Sequence, residues 1–371
     1  MTTDTSLTVY IDFKSPYAYL AIEPTRQLAR ELGITIDWLP FVLDIPSYLG
    51  SASLGSTGEV AQQSRSENQW SKVKYAYYDC RRYANLRGIT LRGTVKIWDT
   101  NLAAIAMLWA KRQGTDVLQA FIDGIYEPFW KRELDVEDYP AIERVLAAAG
   151  ANTGGFREYA CGTGARENER IQQDAFDRGI FGVPTYVLGE QTYFGREHLP
   201  RIRWQLQGEL GPGPDIAYEL MPDSRVEKTA LRTLDVGIGL DDPESYPAVA
   251  GVLELAQDLD LAVNWYALPA RQQHHRPDSE RQDRAARHRR YRLENRHRDQ
   301  RRYLQRADGD CASRIRALLT QHGIALREGE VAADWAGYAS LDGYVGSPVF
   351  RLGEETFVGR QHLPLIRARL P

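Results

Sequence analysis

The chain has 371 residues, 43% of them hydrophobic and 26% charged, with a formal net charge of −4. This is the composition of an ordinary globular protein, and the length predicts two domains. No run of about 18 apolar residues occurs and no signal-peptide pattern is visible, so we expect neither a membrane span nor export. The three cysteines, Cys80, Cys161 and Cys311, are far apart, which argues against a disulfide framework and favours a reducing, cytoplasmic location.

The first half of the chain predicts a strand–helix–strand start, a long helical insertion, and a strand pair followed by a last helix. The predicted elements are a strand over Leu7–Phe13, a helix over Tyr17–Leu32, a strand over Thr35–Leu39, short strands over Thr185–Leu188 and Gln191–Tyr193, and a helix from near Glu197. This order describes one α/β domain.

The second half repeats this order, which indicates a tandem duplication. The matching blocks are Ser15-Pro16 with Asp242-Pro243, Ala29–Trp38 with Ala256–Trp265, Asp79–Tyr83 with Asp299–Tyr303, Gly182–Tyr186 with Gly346–Phe350, and Phe194–Pro200 with Val358–Pro364. The second copy predicts strands over Leu231–Leu240, Ala262–Leu268, Val349–Leu352 and Glu355–Phe357, with helices over Tyr246–Leu259 and from near Gln361. A cluster of glycine and proline between the copies predicts a linker over 207–228, which separates domains over 1–206 and 229–371.

Ser15 lies where the first strand gives way to the first helix, and Pro16 suits the first helical position because it has no N–H. The start of a helix carries free N–H groups and partial positive charge, which stabilise a thiolate placed there. Ser15 is therefore either an N-cap alone or a hydroxyl that also donates a hydrogen bond to a bound sulfur.

These segments resemble the DsbA-like thioredoxin family, and within it the sequence is most similar to the 2-hydroxychromene-2-carboxylate isomerases and the kappa-class glutathione transferases. The similarity is carried by Asp12–Leu20, by Lys72–Tyr75 with Asp79, by Gly179–Thr185, and by Phe194–Glu197. Redox proteins of this type carry Cys-x-x-Cys where this chain has Ser15 and Ala18. The resemblance implies two thioredoxin-like domains, each with a helical insertion that is long in the first and short in the second.

The resemblance also implies glutathione as cofactor and assigns residues to it. Ser15 holds the glutathione sulfur as a thiolate. Pro184 is expected to follow a cis bond that exposes the backbone of Val183 to the cysteinyl group, although a strand-entry proline without a ligand is the alternative. Lys72 meets the glycine carboxylate, unless it is simply an exposed lysine.

Three further assignments concern the ends of helices. Gly195-Arg196-Glu197 precedes the last helix, whose start suits the γ-glutamyl carboxylate, with Glu197 taking the ammonium. Arg196 is unusual for the family at this place, and Glu197 has an alternative role in favouring the helix dipole. Asn101 is predicted to line the substrate pocket, and Tyr17 and Trp98 are predicted to form an aromatic wall or part of the core.

The function implied is a glutathione-dependent isomerase or transferase that acts on a small, aromatic electrophile. The alternatives are a thiol-disulfide oxidoreductase, which would lack its two cysteines, and a non-catalytic binding protein built from two degenerate domains. Asp242 in place of Ser15 would repel a thiolate, so the second copy is not expected to bind glutathione in the same way. The expected partner is a second chain in a homodimer, or the second copy acting as an internal pseudo-dimer partner.

The stretch 271–306 holds 13 arginines, five acids and no lysine, and clustered arginines also occur in nucleic-acid-binding surfaces. Because acids interrupt it and it aligns with the helical insertion of the first copy, we predict a solvated helical face, or a disordered start that runs into one, and no nucleic-acid partner. His274 and His275 lack neighbouring ligands at metal-site spacing, so no metal is expected.

Overall fold

Two four-stranded sheets, each with mixed strand directions, organise the chain in the computed structural model. The structure describes residues 6–55, 59–240, 242, 244–268, 311–327 and 348–371. The chain divides into two compact units, the first formed by Met1–Arg65 and Ala76–Asp215 and the second by Ser66–Tyr75 and Ile216–Pro371. The division falls inside the predicted linker, but the inclusion of Ser66–Tyr75 in the second unit was not predicted.

The first unit contains most of the helices that the structure describes. Its strands are β1 (Ser6–Ile11), β2 (Thr35–Pro40), β3 (Ala52–Leu54), β4 (Val60–Gln63), β5 (Thr185–Leu188) and β6 (Gln191–Phe194). Its helices are α1 (Pro16–Leu32), α2 (Ile45–Leu49), the later part of α3 (Glu67–Leu86), α4 (Asn101–Lys111), α5 (Thr115–Trp130), α6 (Tyr139–Ala148), α7 (Phe156–Cys161), α8 (Thr163–Asp177) and α9 (Leu199–Leu206), the last preceded by a 3₁₀ turn, Arg196–His198.

The first sheet has the order β2–β1–β5–β6. Strand β1 runs parallel to β2 and antiparallel to β5, so Val9 lies opposite both Trp38 and Tyr186. Successive side chains of a strand point to opposite faces, which places the buried residue Val9 on one face and Thr8 and Tyr10 on the other. Helices α4 and α8 cover the face that carries Thr8 and Tyr10. The candidate site lies at the end of β1.

Helix α1 follows directly from β1 and is defined by its ends. Ser15 caps its first turn and Pro16 occupies its first position. Gly33 ends the helix with φ 64°, a left-handed conformation that glycine adopts without a steric cost, and its N–H bonds the Ala29 carbonyl. Leu20 and Leu28 are fully buried, so the apolar face of α1 joins the core of the first unit.

The second unit has a sheet of the same order and strand directions. Its elements are β7 (Thr233–Gly239), α10 (Ser245–Leu259), β8 (Ala262–Leu268), α11 (Cys311–Gln321), β9 (Val349–Leu352), β10 (Glu355–Val358), a 3₁₀ turn (Arg360–His362) and α12 (Leu363–Arg369). Strand β7 is parallel to β8 and antiparallel to β9, in the order β10–β9–β7–β8. Its buried core includes Val236, Phe350 and Phe357.

The predicted strands and the two helices α1 and α10 are confirmed to within two residues at each end. One local feature differs: the hairpin β3–β4 lies where helical structure alone was predicted. The last helices begin at Leu199 and Leu363, within two residues of the predicted starts near Glu197 and Gln361, and a 3₁₀ turn precedes each of them. The arginine-rich stretch 271–306 and the repeat block Asp299–Tyr303 lie outside the described residues.

Candidate active site

The turn from β1 into α1 places Ser15 at the N-terminus of the helix. The Ser15 hydroxyl oxygen accepts a hydrogen bond from the Ala18 N–H at 3.2 Å, and the Ser15 carbonyl accepts one from the Tyr19 N–H at 3.1 Å. The role of Ser15 as an N-cap is thus confirmed. That role uses an oxygen lone pair and leaves the hydroxyl hydrogen available for a second acceptor.

The second acceptor in this structure is the carbonyl of Val183. The Ser15 hydroxyl lies 3.5 Å from that oxygen, across 168 residues of chain. The peptide bond between Val183 and Pro184 is cis, which confirms the prediction for this bond. The structure therefore brings together three of the residues predicted for the site: Ser15, Val183 and Pro184.

The backbone of Val183 bears on whether glutathione fits here. Val183 is 5% exposed, and its N–H makes no hydrogen bond to any part of the chain that the structure describes. A peptide N–H that the chain leaves unbonded finds its partner in water or in a ligand. An extended peptide pairing with Val183 would satisfy this donor, so the backbone geometry fits a peptide such as glutathione.

Two aromatic side chains of α5 hold the turn that precedes Ser15. The Tyr126 hydroxyl donates to the Asp12 carbonyl and the Trp130 indole N–H donates to the Phe13 carbonyl, both at 3.1 Å. Both rings are fully buried, and Tyr126 also packs against the Phe13 ring with centroids 5.0 Å apart. The backbone just before the helix is therefore fixed by the helical insertion.

Asp12 joins three separate loops beneath the start of α1. Its carboxylate accepts hydrogen bonds from the Thr100 hydroxyl at 2.6 Å and from the Leu43 N–H at 2.8 Å. The Lys14 ammonium lies 3.7 Å from the same carboxylate, and both side chains are buried. Burial raises the pKa of Asp12, while the Lys14 charge and the hydrogen bonds act in the opposite direction.

Lys14 in turn ties Trp98 to this turn. The Lys14 ammonium donates to the Trp98 carbonyl at 3.3 Å. The Trp98 ring is half-buried and packs edge-on against Phe129, with centroids 6.0 Å apart. The backbone of Trp98 is therefore bonded to the residue that precedes Ser15, while its ring packs against Phe129.

Asn101 begins α4 and is exposed. Its backbone N–H and side-chain amide both bond Asp99, and its side-chain oxygen accepts from the Asn168 amide at 3.0 Å. The Asp99 carboxylate thus accepts from the first N–H of α4, whereas the hydroxyl of Thr100, the residue before the helix, donates to Asp12. The contact with Asn168 links Asn101 to α8.

Arg196 is turned into the interior of the first unit. Its side chain is 4% exposed, and the guanidinium lies 4.7 Å from the centre of the Tyr83 ring. The N–H of the preceding Gly195 bonds the Pro184 carbonyl at 2.9 Å, which fixes this turn beside the cis bond. The Glu197 side chain folds back over Gly195, whose φ of 105° and missing Cβ permit that approach.

A buried ion pair on α3 was not singled out from the sequence. Arg82 donates to Asp79 at 3.0 Å, and both side chains are less than a twentieth exposed. The Tyr17 hydroxyl lies 3.5 Å from Asp79, and the charges of Arg82 and Arg196 oppose the rise that burial causes in the pKa of Asp79. Tyr17 therefore faces this polar cluster, which supports the start of α1 from below.

The remaining sequence candidates are placed as follows. Lys72 lies in Ser66–Tyr75, which belongs to the second unit. Cys80 is fully buried on α3, and burial raises its thiol pKa well above the ordinary value. Cys161 is exposed, with the Tyr139 hydroxyl 3.6 Å from its sulfur.

Comparison with known proteins places this site in a family. The model of the DSBA-like thioredoxin domain matches residues 6–207, more than half of the chain. The chain therefore belongs to the DSBA-like thioredoxin domain family, and its first unit has the corresponding α/β fold.

The similar proteins include isomerases of this family. The 2-hydroxychromene-2-carboxylate isomerase of Sphingobium xenophagum is 28% identical over 195 residues, which is 51% of this chain and 92% of the relative. The isomerase of Pseudomonas putida is 27% identical over 51% of this chain and 88% of that relative. A solved 2-hydroxychromene-2-carboxylate isomerase is 21% identical with a TM-score of 0.43, over 55% of this chain and 95% of that one.

Among the described residues, no helix is long and apolar enough to cross a membrane. Among the same residues, no group of three or more histidine, cysteine or acidic side chains could hold a metal ion.

Proposed function

We propose that this protein is a glutathione-dependent isomerase or transferase that acts on a small, aromatic electrophile, as in 2-hydroxychromene-2-carboxylate isomerases. Two observations carry the proposal: the Ser15 hydroxyl, at a helix N-terminus, lies 3.5 Å from the Val183 carbonyl, and the Val183 N–H makes no hydrogen bond within the described part of the chain. The family match and the isomerases among the relatives support the reaction class.

The residues of this chain would act on glutathione through binding and charge. The start of α1 and the Ser15 hydroxyl favour the thiolate over the thiol, and Val183 pairs with the cysteinyl backbone. Lowering a thiol pKa by two units corresponds to about 2.7 kcal/mol, which a helix dipole and one charge-assisted hydrogen bond can supply. The chemistry supplied by bound glutathione is reversible addition of its thiolate to an activated carbon–carbon double bond, with rotation before expulsion.

The other assigned residues keep their proposed roles. Lys72 would meet the glycine carboxylate, and Glu197 and the turn at Arg196 would meet the γ-glutamyl end. Because the Arg196 guanidinium is packed over Tyr83, we assign its contribution to the backbone of that turn. Asn101, Trp98 and Tyr17 would border the substrate.

A thiol-disulfide exchange reaction is not favoured by this site. The start of α1 has Ser15 and Ala18 where disulfide exchange needs two cysteines. Cys80, on α3, is buried. Reduction of insulin by dithiothreitol that the protein accelerates above the uncatalysed rate would contradict the proposal.

Glutathione binding provides the direct test. We expect the protein to be retained on immobilised glutathione, and Ser15→Ala to weaken the dissociation constant about tenfold or more, as for a charge-assisted hydrogen bond. Pro184→Ala should have a similar effect through the backbone of Val183, whereas Ser245→Ala in the second unit serves as the control. Retention that is unchanged in both site variants would favour a non-catalytic binding protein.

The second unit is proposed to be a degenerate duplicate of the first. The equal order and directions of strands in the two sheets support this, together with the repeated blocks of sequence. The second unit would then serve as an internal partner, unless the protein forms a homodimer. A cytoplasmic location, where glutathione is abundant, is part of the same proposal.

A further inference from the structure

Arg196 belongs to the turn that precedes the last helix of the first unit. The turn begins with Gly195, whose N–H bonds the Pro184 carbonyl at 2.9 Å, beside the cis bond. The Glu197 carboxylate folds back over Gly195, in the space that a Cβ would fill. The Arg196 side chain is instead packed into the interior, and only 4% of the residue is exposed. The turn therefore carries one buried cation.

This cation lies against α3. The guanidinium carbon of Arg196 is 4.7 Å from the centre of the Tyr83 ring, a distance typical of a cation–π interaction. Tyr83 is also only 4% exposed. Because such an interaction is strongest where water is excluded, the contact holds the Gly195–Glu197 turn against α3.

The same face of α3 supports the start of α1. Asp79 lies four residues before Tyr83, which places the two side chains on one face of the helix. The Asp79 carboxylate pairs with Arg82 at 3.0 Å and lies 3.5 Å from the hydroxyl of Tyr17, in the first turn of α1. The positive charge of Arg196 opposes the rise that burial causes in the pKa of Asp79. One stretch of α3 thus joins the last turn to the start of the first helix.

The second unit has a corresponding turn. It begins at Gly359, whose N–H bonds the Pro348 carbonyl at 2.8 Å. Its φ of 97° and ψ of 147° match the 105° and 146° of Gly195, so the backbone follows the same course in both units. The next residue, Arg360, forms an ion pair with Glu244, and 12% of the arginine side chain is exposed. An arginine is therefore packed inward from this turn in each unit.

Glu244 is the counterpart of Tyr17. The sequence repeat pairs Pro16 with Pro243, so the residue that follows each proline occupies the same place at the start of the first helix. The arginine of the second unit contacts that place directly, whereas Arg196 is joined to it through α3. Two different sets of contacts thus connect the same two parts of the fold.

We propose that Arg196 is a positioning residue, which holds the Gly195–Glu197 turn in place relative to the start of α1 and so sets the affinity for the γ-glutamyl end of glutathione. This inference rests on the proposed function, in which the start of α1 holds the sulfur and the turn meets the γ-glutamyl group. A ligand that bridges two elements binds more weakly when it must also order them. Arg196 acts through the turn and does not need to touch the ligand.

Titration with glutathione and with cysteinylglycine, followed by calorimetry and by amide chemical shifts, tests the proposal. Cysteinylglycine has the same thiol but lacks the γ-glutamyl group. We expect Arg196→Met to weaken glutathione binding at least about tenfold and cysteinylglycine binding less than about twofold. Arg196→Lys keeps a cation over Tyr83 and should bind glutathione within about threefold of the wild type. Arg360→Met, the matched change in the second unit, should alter neither constant.

Hydrogen exchange of the protein without ligand gives a second measurement. In Arg196→Met the Gly195 amide should exchange at least about fivefold faster, because the turn opens locally. The Gly359 amide and the amides of β1 should keep their rates, which separates local opening from a loss of fold. Arg196→Gln, whose side chain remains polar, takes the place of Arg196→Met if the apolar side chain prevents folding.

Equal weakening of both ligands in Arg196→Met would reveal a general loss of structure and overturn the proposal. Unchanged glutathione binding, an unchanged rate at Gly195, or a loss in Arg196→Lys as large as in Arg196→Met would each overturn it as well. Failure of the wild-type protein to bind glutathione would instead refute the proposed function, and the positioning role with it. The wild type alone therefore distinguishes the two failures.

Discussion

The two units share a scaffold and differ in the chemistry at the turn that leads from the first strand into the following helix. In the two sheets, β1 and β7 are each parallel to one neighbour and antiparallel to the other. In both, a glycine N–H bonds a proline carbonyl at the same place, Gly195 to Pro184 at 2.9 Å and Gly359 to Pro348 at 2.8 Å. The backbone framework around the turn is therefore the same.

The polar groups at the turn are not the same. In the first unit the Ser15 hydroxyl faces the Val183 carbonyl, whereas in the second Asp242 accepts from the Glu244 N–H at 3.0 Å. Helix α10 begins at Ser245, whose hydroxyl accepts from the Gly239 N–H at 3.1 Å. A fold of this kind thus preserves strand order through apolar packing while its site residues change independently.

The largest expected effect is the loss of stability when a buried ion pair of the first unit is broken, compared with a more exposed pair of the second unit. Asp79→Asn removes the carboxylate between buried guanidinium groups, and we expect the free energy of unfolding to fall by about 3–5 kcal/mol. Glu244→Gln removes the partner of Arg360 in a more exposed pair, and the expected loss is about 1 kcal/mol or less. Urea denaturation of both variants measures the difference. Equal losses would mean that the ion pairs of the two units contribute equally to the free energy of unfolding.

Asp12→Asn tests whether the first turn depends on its own carboxylate. The amide keeps one acceptor oxygen but leaves the Lys14 ammonium without its counter-charge, so we expect a loss of about 2–3 kcal/mol. Because the pKa of Asp12 is raised in the folded state, wild-type stability should fall as pH rises from the unfolded-state pKa through the folded-state value. The variant should lack this slope, and an identical pH profile would count against the assignment.

Ser15→Asp places before α1 the acid that Asp242 provides before α10. Aspartate is a good N-cap, so the helix should form, but its carboxylate would repel a thiolate at short range. We expect glutathione to bind at least about tenfold more weakly than to Ser15→Asn, the uncharged variant of the same shape, or about 1.4 kcal/mol. Calorimetric titration gives both constants, and equal affinities would remove charge as the reason for the difference between the turns.

The smallest expected effect compares the two serines. Ser15→Ala loses an N-cap, and Ser245→Ala leaves the Gly239 N–H without its acceptor, so each should cost about 1 kcal/mol of stability. Only Ser15→Ala should also weaken glutathione binding. Thermal unfolding together with glutathione titration separates the two roles, and a loss of binding in Ser245→Ala would show that the turns are equivalent.

Periodicity alone determined most strands of both sheets and the helices α1 and α10. The strands are apolar runs bounded by turn residues, and α1 has Pro16 at its start and Gly33 at its end. Strand β4 escaped prediction because all its side chains are exposed, which leaves no apolar alternation to detect. Local sequence thus predicts an element when burial imposes a pattern on it.

The candidate site also has features that local sequence predicts and features that depend on distant contacts. Ser15 and the cis bond at Pro184 were predicted from local motifs and the family resemblance, whereas the contacts that support them were not. Asp12 directly follows a buried strand, which was a usable signal for a polar site, but its bond to Thr100 spans 88 residues. Asp79 and Arg82 lie three residues apart on a helix, yet nothing local showed that both would be buried.

The sequence by itself determined the order of elements, the family and the place of the turn at Ser15, because these depend on neighbours within a few residues. The tertiary structure decided that Asp12 joins three loops and that Arg196 packs over Tyr83. These contacts join residues distant in the chain, and their energies depend on burial and on the charges that folding brings near them.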